Sequence, residues 1–380
     1  MSLFFVSCPP DFETELSQEL KSFWFEMIDL DGLPTRAVFP ELEIIRGGIQ
    51  LEVPEHLGFQ INFFSKIASR VLLRIAKFEA RYFDQFEKGF AKVEFEKYFD
   101  AQETQLKAES HKSRINNEKN IIEAGTNVLT KKKFKVVDSS PNLVYVRIEK
   151  DRVTISLDTS GEHLHRRGYA TFRGEAPLRE TLAAFLIRKL QKYTPIDKTL
   201  TLVDPFAGSG TILLEAASFR LPNLARPYSW LGFKNAPKLF KSESWKKNYR
   251  WTITQDRPKL LGFDILETAV ANLENNCQEF ERVFGMNPEV AAENRDSSTI
   301  ESSFGKNAWI VTNPPYGIRM QDENAREILE KLEGSVEGMI VIHPVVWKFR
   351  FKKMKQVLIE DFSNQGLNLK LSVFQNPRAN

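Results

Sequence analysis

The sequence has only two cysteines and no long apolar segment. Cys8 and Cys277 lie far apart and form no metal-ligand pattern, which is typical of proteins in a reducing cytoplasm. No apolar run reaches the roughly 18 residues that indicate a membrane helix. The apolar start, residues 1–6, is short and lacks the basic flank of a signal peptide. We therefore predict a cytoplasmic protein with no membrane partner and no metal site.

The sequence also lacks a strong excess of charge. Its formal net charge is +3 over 380 residues, so any nucleic-acid contact must come from local basic patches. The 42% hydrophobic and 27% charged residues are typical of a folded protein and exclude a disordered chain. The length allows two or three domains.

A glycine-containing turn lies between a predicted strand, residues 200–203, and a helix that follows Thr211. The turn consists of Asp204, Pro205, Phe206, Ala207, Gly208, Ser209, Gly210 and Thr211. Glycine allows a ligand to approach the backbone closely, and the N-terminus of the helix offers unpaired N–H groups. This pattern predicts a binding site.

Two common nucleotide-binding motifs with glycine turns do not match this sequence. A dinucleotide fingerprint needs a small residue where Leu213 stands, and a Walker loop needs a lysine that is missing here. A nicotinamide enzyme is therefore a disfavoured alternative.

A second motif follows the apolar strand predicted over residues 308–312. It consists of Asn313, Pro314, Pro315 and Tyr316, and its two prolines impose a rigid, extended turn. In open α/β sheets, ligands bind at the carboxyl ends of the strands, where both motifs are predicted to lie.

In this order, the two motifs resemble the cofactor loop and catalytic motif of S-adenosylmethionine-dependent amino-methyltransferases. More narrowly, the chain resembles bacterial THUMP-domain RNA guanine-N2 methyltransferases that act on 23S ribosomal RNA. The resemblance implies an α/β fold: a Rossmann-like, seven-stranded class I methyltransferase domain preceded by an α+β THUMP-containing RNA-binding region. It implies S-adenosyl-L-methionine as cofactor and RNA as partner; protein partners are not indicated.

The resemblance also implies three domains. We predict an N-terminal ferredoxin-like α+β module over residues 1–60, a THUMP domain over 61–160 and the methyltransferase domain over 161–380. A hairpin around residues 364–366 is predicted to supply the antiparallel edge of the catalytic sheet.

The predicted catalytic residues are those of the second motif. An exocyclic amine on a base is a poor nucleophile, and two acceptors on its N–H groups would orient its lone pair. Asn313 offers a side-chain carbonyl and Pro314 a backbone carbonyl. Tyr316 offers a ring on which a flipped base can stack. The same motif also serves enzymes that methylate adenine N6, cytosine N4 and glutamine, so it does not identify the base.

Two acidic residues complete the predicted cofactor site. Asp264 ends the strand predicted over 259–263 and can accept both hydroxyls of a ribose, although it could instead cap the next helix. Asp296, after the run 290–295, is expected to meet the adenine amino group, with Asn294 and Ser297 as competitors. An insertion, residues 219–251, accounts for the long interval between the glycine turn and Asp264.

Local charge predicts the RNA-binding residues. Residues 107–135 hold eight Lys or Arg against three Glu, and the cluster Lys131, Lys132 and Lys133 suits phosphate contacts or, equally, a solvated helix end. By resemblance, Arg166 and Arg167, at the end of the THUMP region, are also predicted to bind RNA. The basic, aromatic-rich insertion either contacts single-stranded RNA or forms a folded lid with its tryptophans in a core.

Three functions remain open at this stage. The main hypothesis is a 23S rRNA guanine-N2 methyltransferase, with a transfer-RNA enzyme of the same architecture as the alternative. A non-catalytic RNA-binding assembly factor is the third, and the intact glycine turn and Asn313 argue against it.

Overall fold

A computed structural model of the chain describes residues 1–100, 103–174, 178–248, 257–300, 303–315, 322–364 and 367–377. It contains two compact units, which are described separately. The first comprises residues 1–165 and 224–250, and the second comprises residues 166–223 and 251–380. Within the described ranges, every helix is too short or too polar to cross a membrane.

The first unit contains an eight-stranded sheet and four helices. Its strands are β1 (Ser2–Ser7), β2 (Leu42–Ile45), β3 (Gly48–Val53), β4 (Arg70–Glu79), β5 (Glu103–His111), β6 (Lys135–Val136), β7 (Leu143–Glu149) and β8 (Arg152–Asp158). Its helices are α1 (Glu13–Phe23), α2 (Glu55–Phe64), α3 (Phe83–Ala91) and α4 (Glu118–Lys131). The strand order is β2-β3-β1-β4-β8-β7-β5-β6.

This sheet combines strands from both predicted N-terminal modules, since β1 pairs with β3 and with β4. The predicted boundary at residue 60 therefore crosses a continuous sheet in this structure. A tight turn separates the antiparallel neighbours β2 and β3. The turn is at Gly47, whose φ of 86° reverses the chain between the two strands.

The insertion provides part of the core of the first unit. Trp230 stacks on Phe59 with ring centroids 4.9 Å apart, and Trp245 stacks on Phe63 at 5.1 Å. Both indoles are buried. Of the two hypotheses for the insertion, the described part supports a folded segment with its tryptophans in a core; Tyr249 and Trp251 lie outside the described residues.

The second unit contains a seven-stranded sheet and four helices. Its strands are β9 (Thr201–Asp204), β10 (Lys259–Asp264), β11 (Val290–Asn294), β12 (Ala308–Thr312), β13 (Gly338–Pro344), β14 (Lys355–Asn364) and β15 (Leu367–Gln375). Its helices are α5 (Glu180–Gln191), α6 (Thr211–Ala217), α7 (Glu267–Phe284) and α8 (Asp322–Lys331). The strand order is β11-β10-β9-β12-β13-β15-β14.

The order and direction of these strands confirm the predicted class I methyltransferase fold. The five strands from β11 to β13 pair in parallel, whereas β15 is antiparallel to both β13 and β14. The predicted hairpin at the edge is thus present as β14 and β15. The central strand β12 is buried along its whole length, as a parallel strand covered on both faces should be.

Candidate functional site

The two motifs lie at the same edge of the second sheet. Strands β9 and β12 are parallel neighbours, with Ile310 opposite Val203, so the residues that follow both strands meet at their carboxyl ends. A hydrogen bond joins the two ends, because the Thr312 hydroxyl donates to Asp204 Oδ1 at 2.6 Å. The glycine turn and Asn313 are therefore parts of one surface.

The glycine turn has a left-handed backbone at two positions. Gly210 has a φ of 82° and precedes α6, and a Cβ there would lie 2.6 Å from Leu273 Cγ. Gly208 has a φ of 52°, but a Cβ at this position would meet no atom within 4 Å. Gly210 thus serves the close packing of α7, whereas Gly208 leaves open space beside the backbone, where a ligand can lie.

Asp264 is held against this turn at the end of β10. Its Oδ2 accepts a hydrogen bond from the Gly208 N–H at 2.9 Å, and its Oδ1 accepts one from Leu266 N at 3.0 Å. The next two side chains, Ile265 and Leu266, are 62% and 60% exposed. An acceptor beside an open apolar surface suits a nucleoside, whose ribose is polar and whose base is flat and apolar. Ile265 and Leu266 were not among the predicted site residues, although two apolar residues after a strand-end carboxylate could have indicated them.

Asp296 lies close to the glycine turn because the next residue, Ser297, is hydrogen-bonded to that turn. The Ser297 hydroxyl donates to the Pro205 carbonyl at 2.6 Å, and the exposed Asp296 carboxylate accepts from Ser298 N at 2.8 Å. The backbone hydrogen bond from Ser298 is the largest cause that lowers the pKa of Asp296. The competitor Asn294 instead donates to the carbonyls of Asp264 and Ile265.

Asp204 is buried below the turn. Burial raises its pKa to about 7, against the stabilising hydrogen bonds from Thr312 and Phe206, and the neighbouring Asp264 adds to the rise. Both hydrogen bonds reach the same oxygen, Oδ1. Asp204 therefore positions the two strand ends, and its charge is costly near neutral pH.

The stability of the protein should depend on pH through Asp204. Because the folded pKa is above the ordinary value of 3.8, this group stabilises the fold fully below about pH 4 and loses that contribution as pH rises to about 7. Asp204→Asn keeps the Oδ1 acceptor and does not titrate. We expect the variant to gain stability relative to the wild type between pH 5 and 7, by at most about 1.4 kcal/mol per pH unit. Urea denaturation at several pH values measures this difference, and parallel pH profiles would contradict it.

The predicted catalytic motif begins directly after β12. Asn313 and Pro315 are half-buried and Pro314 is buried, so the motif lies at the surface of the sheet edge. Tyr316, the fourth predicted residue, lies outside the described residues.

The predicted RNA-binding residues differ in their exposure to solvent. Lys131, Lys133 and Arg166 are exposed, whereas the Lys132 ammonium bonds the Val93 carbonyl and Glu96. The prediction for Arg167 is wrong, because its side chain is 2% exposed.

Arg167 instead belongs to a buried polar cluster. Its Nε donates to Glu215 Oε1 at 3.1 Å, and the Tyr169 hydroxyl donates to the same oxygen. Burial opposes the charge of Arg167, but Glu215, Tyr169 and Glu180 together more than offset this effect, so the pKa of Arg167 is raised. Because Glu215 is on α6, the cluster supports the helix that follows the glycine turn.

Comparison with known proteins finds a family match over part of the chain. Residues 167–336 match the family described as UPF0020: RMKL-like, methyltransferase domain. The match includes the glycine turn, Asp264, Asp296 and Asn313.

Individual relatives extend the likeness over more of the chain. A ribosomal RNA large subunit methyltransferase K/L from Syntrophotalea carbinolica is 28% identical over 83% of this chain and 44% of the relative. The chain thus spans about half the length of the curated relative that it matches. A possible methylase from Clostridium difficile 630 is 25% identical, with a TM-score of 0.78 over 100% of this chain and 99% of that one. A putative methyltransferase complexed with SAH (S-adenosylhomocysteine) has a TM-score of 0.76 at 19% identity, over 100% of this chain and 99% of that one, and shows the same fold.

Proposed function

We propose that the region matching the RMKL-like methyltransferase family, residues 167–336, methylates the exocyclic N2 of a guanine in RNA, with S-adenosyl-L-methionine as donor. The observation that carries the proposal is the hydrogen bond between Thr312 and Asp204, which joins the glycine turn to the strand end that bears Asn313. The named relative acts on ribosomal RNA, which favours 23S rRNA as the substrate.

The residues present fit the cofactor. The open space beside Gly208 gives room for a ligand against the backbone, and Asp264 places a carboxylate next to it. Gly208, Asp264 and Asp296 would hold the nucleoside, with Ile265 and Leu266 as the apolar surface for its base. When bound, the cofactor supplies an electrophilic methyl group on a sulfonium.

The chain's own contribution to the reaction is positioning. The Asn313 side-chain carbonyl and the Pro314 backbone carbonyl accept the two N–H groups of the target amine. Pro314 has no N–H that could compete for these acceptors. Two fixed acceptors turn the nitrogen lone pair out of conjugation with the base and toward the glycine turn. Positioning of this kind is worth several powers of ten in rate, and the nitrogen, once methylated, loses its extra proton to water.

Methyl transfer to unmodified RNA tests the proposal. The protein is incubated with labelled S-adenosylmethionine and in vitro transcribed 23S rRNA or transfer RNA, and the nucleosides are analysed by mass spectrometry. We expect N2-methylguanosine in the 23S rRNA. Label in transfer RNA alone would move the activity to that substrate, and label on adenine or cytosine would reject guanine N2. An absence of both transfer and cofactor binding would reject the enzyme.

Substitution of Gly208 tests the cofactor site. Gly208→Ala puts a methyl group into the open space and should weaken S-adenosylmethionine binding by about tenfold or more, in addition to a stability cost of about 1–2 kcal/mol for the left-handed backbone. Gly285→Ala is the matched control, since Gly285 has a φ of 70° and equally open space, but caps the far end of α7. Isothermal titration compares the two. Equal affinities in both variants would remove Gly208 from the site.

A further inference from the structure

A basic segment of the second unit connects strands β13 and β14. Residues 345–355 contain five Lys or Arg and no acidic residue. Within this segment we define the basic ridge as Lys348, Arg350, Lys352 and Lys353, all of which have exposed side chains. Within the described part of the chain, none of these four side chains forms an ion pair.

Aromatic anchors alternate with the cations of the basic ridge. Trp347, Phe349 and Phe351 pack against the core between the sheet and α8. The rings of Phe349 and Phe351 are stacked at 5.2 Å, and both contact Phe374 on β15. The three intervening side chains, Lys348, Arg350 and Lys352, are exposed to solvent.

Carboxylates near the basic ridge bind its backbone. Glu330 accepts the N–H of Arg350 at 2.7 Å, and Glu333 accepts those of Lys352 and Lys353 at 2.8 and 3.1 Å. These hydrogen bonds fix the path of the segment and leave the charged ends of the side chains for another partner.

The segment that carries the basic ridge starts at the same sheet edge as the candidate site. Its segment leaves β13 at Pro344, and Val341 of β13 is opposite Thr312, the residue before Asn313. A turn in which Trp347 N donates to the Pro344 carbonyl at 3.1 Å keeps the start of the segment near this edge. The segment then ends at Lys355, the first residue of β14. Lys355 is opposite Gln375 of β15, and Gln375 is also opposite Gly338, at the other end of β13.

We propose that the basic ridge binds the phosphate backbone of the RNA substrate and holds the strand that enters the site at Asn313. Exposed, unpaired cations on a fixed backbone suit a regular series of phosphates, because they give affinity without sequence preference. The proposal rests on the proposed RNA methyltransferase function and assigns a substrate contact to the catalytic domain itself.

Charge removal tests the basic ridge. In Lys348→Gln/Arg350→Gln, two phosphate contacts are lost. The plot of the logarithm of the RNA-binding constant against the logarithm of the salt concentration should then become less steep by about 1.5, because each phosphate contact contributes roughly 0.7–0.9 to its slope. The KM for RNA should rise while kcat and the affinity for S-adenosylmethionine stay unchanged. The charge-retaining exchange Lys348→Arg/Arg350→Lys should restore the wild-type slope, since a phosphate contact needs only the charge.

Lys259→Gln/Lys306→Gln is the matched control, because it removes the same charge from exposed residues near the amino ends of β10 and β12. An equal fall in slope for this control would show a general field effect and overturn the proposal, as would an unchanged slope in the ridge variant. A wild-type protein that transfers no methyl group to any RNA would instead reject the proposed function, so the two failures are distinguishable.

Discussion

Asn313→Ala should lower kcat for methyl transfer by about 10²–10³-fold, while the affinity for S-adenosylmethionine stays within a factor of about two. The estimate is the usual effect of losing one fixed hydrogen bond to the reacting group. The affinity is preserved because the cofactor is assigned to Gly208, Asp264 and Asp296 and not to the amide. Single-turnover kinetics with isothermal titration separates the two effects.

Two control variants identify what Asn313 contributes. Asn313→Asp keeps acceptor oxygens and should retain a measurable part of the activity, whereas a role as a donor would make it as inactive as Asn313→Ala. Asn307→Gly removes the same amide at the other end of β12, where it bonds Thr194 and Thr199, and glycine suits the φ of 53° at this position. This variant should lose stability and keep its kcat. Full activity in Asn313→Ala would remove the residue from the mechanism.

Glu215→Ala should destabilise the second unit by about 3–5 kcal/mol. The substitution removes the carboxylate that bonds the buried Arg167 guanidinium, and breaking a buried ion pair by removing one partner typically costs this much. The Tyr169 hydroxyl also loses its acceptor. Thermal or urea unfolding of the variant measures the loss.

The same cluster allows a test by apolar replacement. Because an ion pair in a core can often be replaced by apolar side chains at little cost, Arg167→Met/Glu215→Leu should recover most of the stability lost in Glu215→Ala. For comparison, Glu109→Ala breaks the exposed pair with Arg147 and should cost at most about 1 kcal/mol. If Glu215→Ala were no worse than Glu109→Ala, Arg167 would not depend on this carboxylate.

The variant Arg167→Met alone tests the rejected RNA role, and it should alter stability without changing the salt slope of RNA binding.

The sheet of the second unit could be predicted because its signals are local. Strands β9 and β12 are short apolar runs, each ended by a glycine or proline turn, and buried parallel strands have this pattern. The meeting of the two turns followed from the rule that parallel strands present their carboxyl ends at one edge. The bond between Thr312 and Asp204 could not be read from the sequence, since it depends on the register of the two strands.

Other features depend on contacts that are distant in sequence. Arg167 was assigned to RNA because a run of cations has no visible partner in the sequence, and Glu215 is 48 residues away. Similarly, Trp230 and Trp245 pack on α2, far earlier in the chain, and their composition alone fits a base-stacking surface equally well. The basic ridge was missed because its alternating aromatics and cations have no regular secondary structure to indicate which side chains are buried.

The central claim is that the cofactor bound at the Gly208 turn faces an amine held by Asn313. A crystal structure of the protein with S-adenosylhomocysteine tests it most directly. We expect the ribose hydroxyls on Asp264, the adenine beside Ile265 and Leu266, and the sulfur directed toward Asn313. A ligand bound away from the Gly208 turn, or with its sulfur directed away from Asn313, would contradict this account.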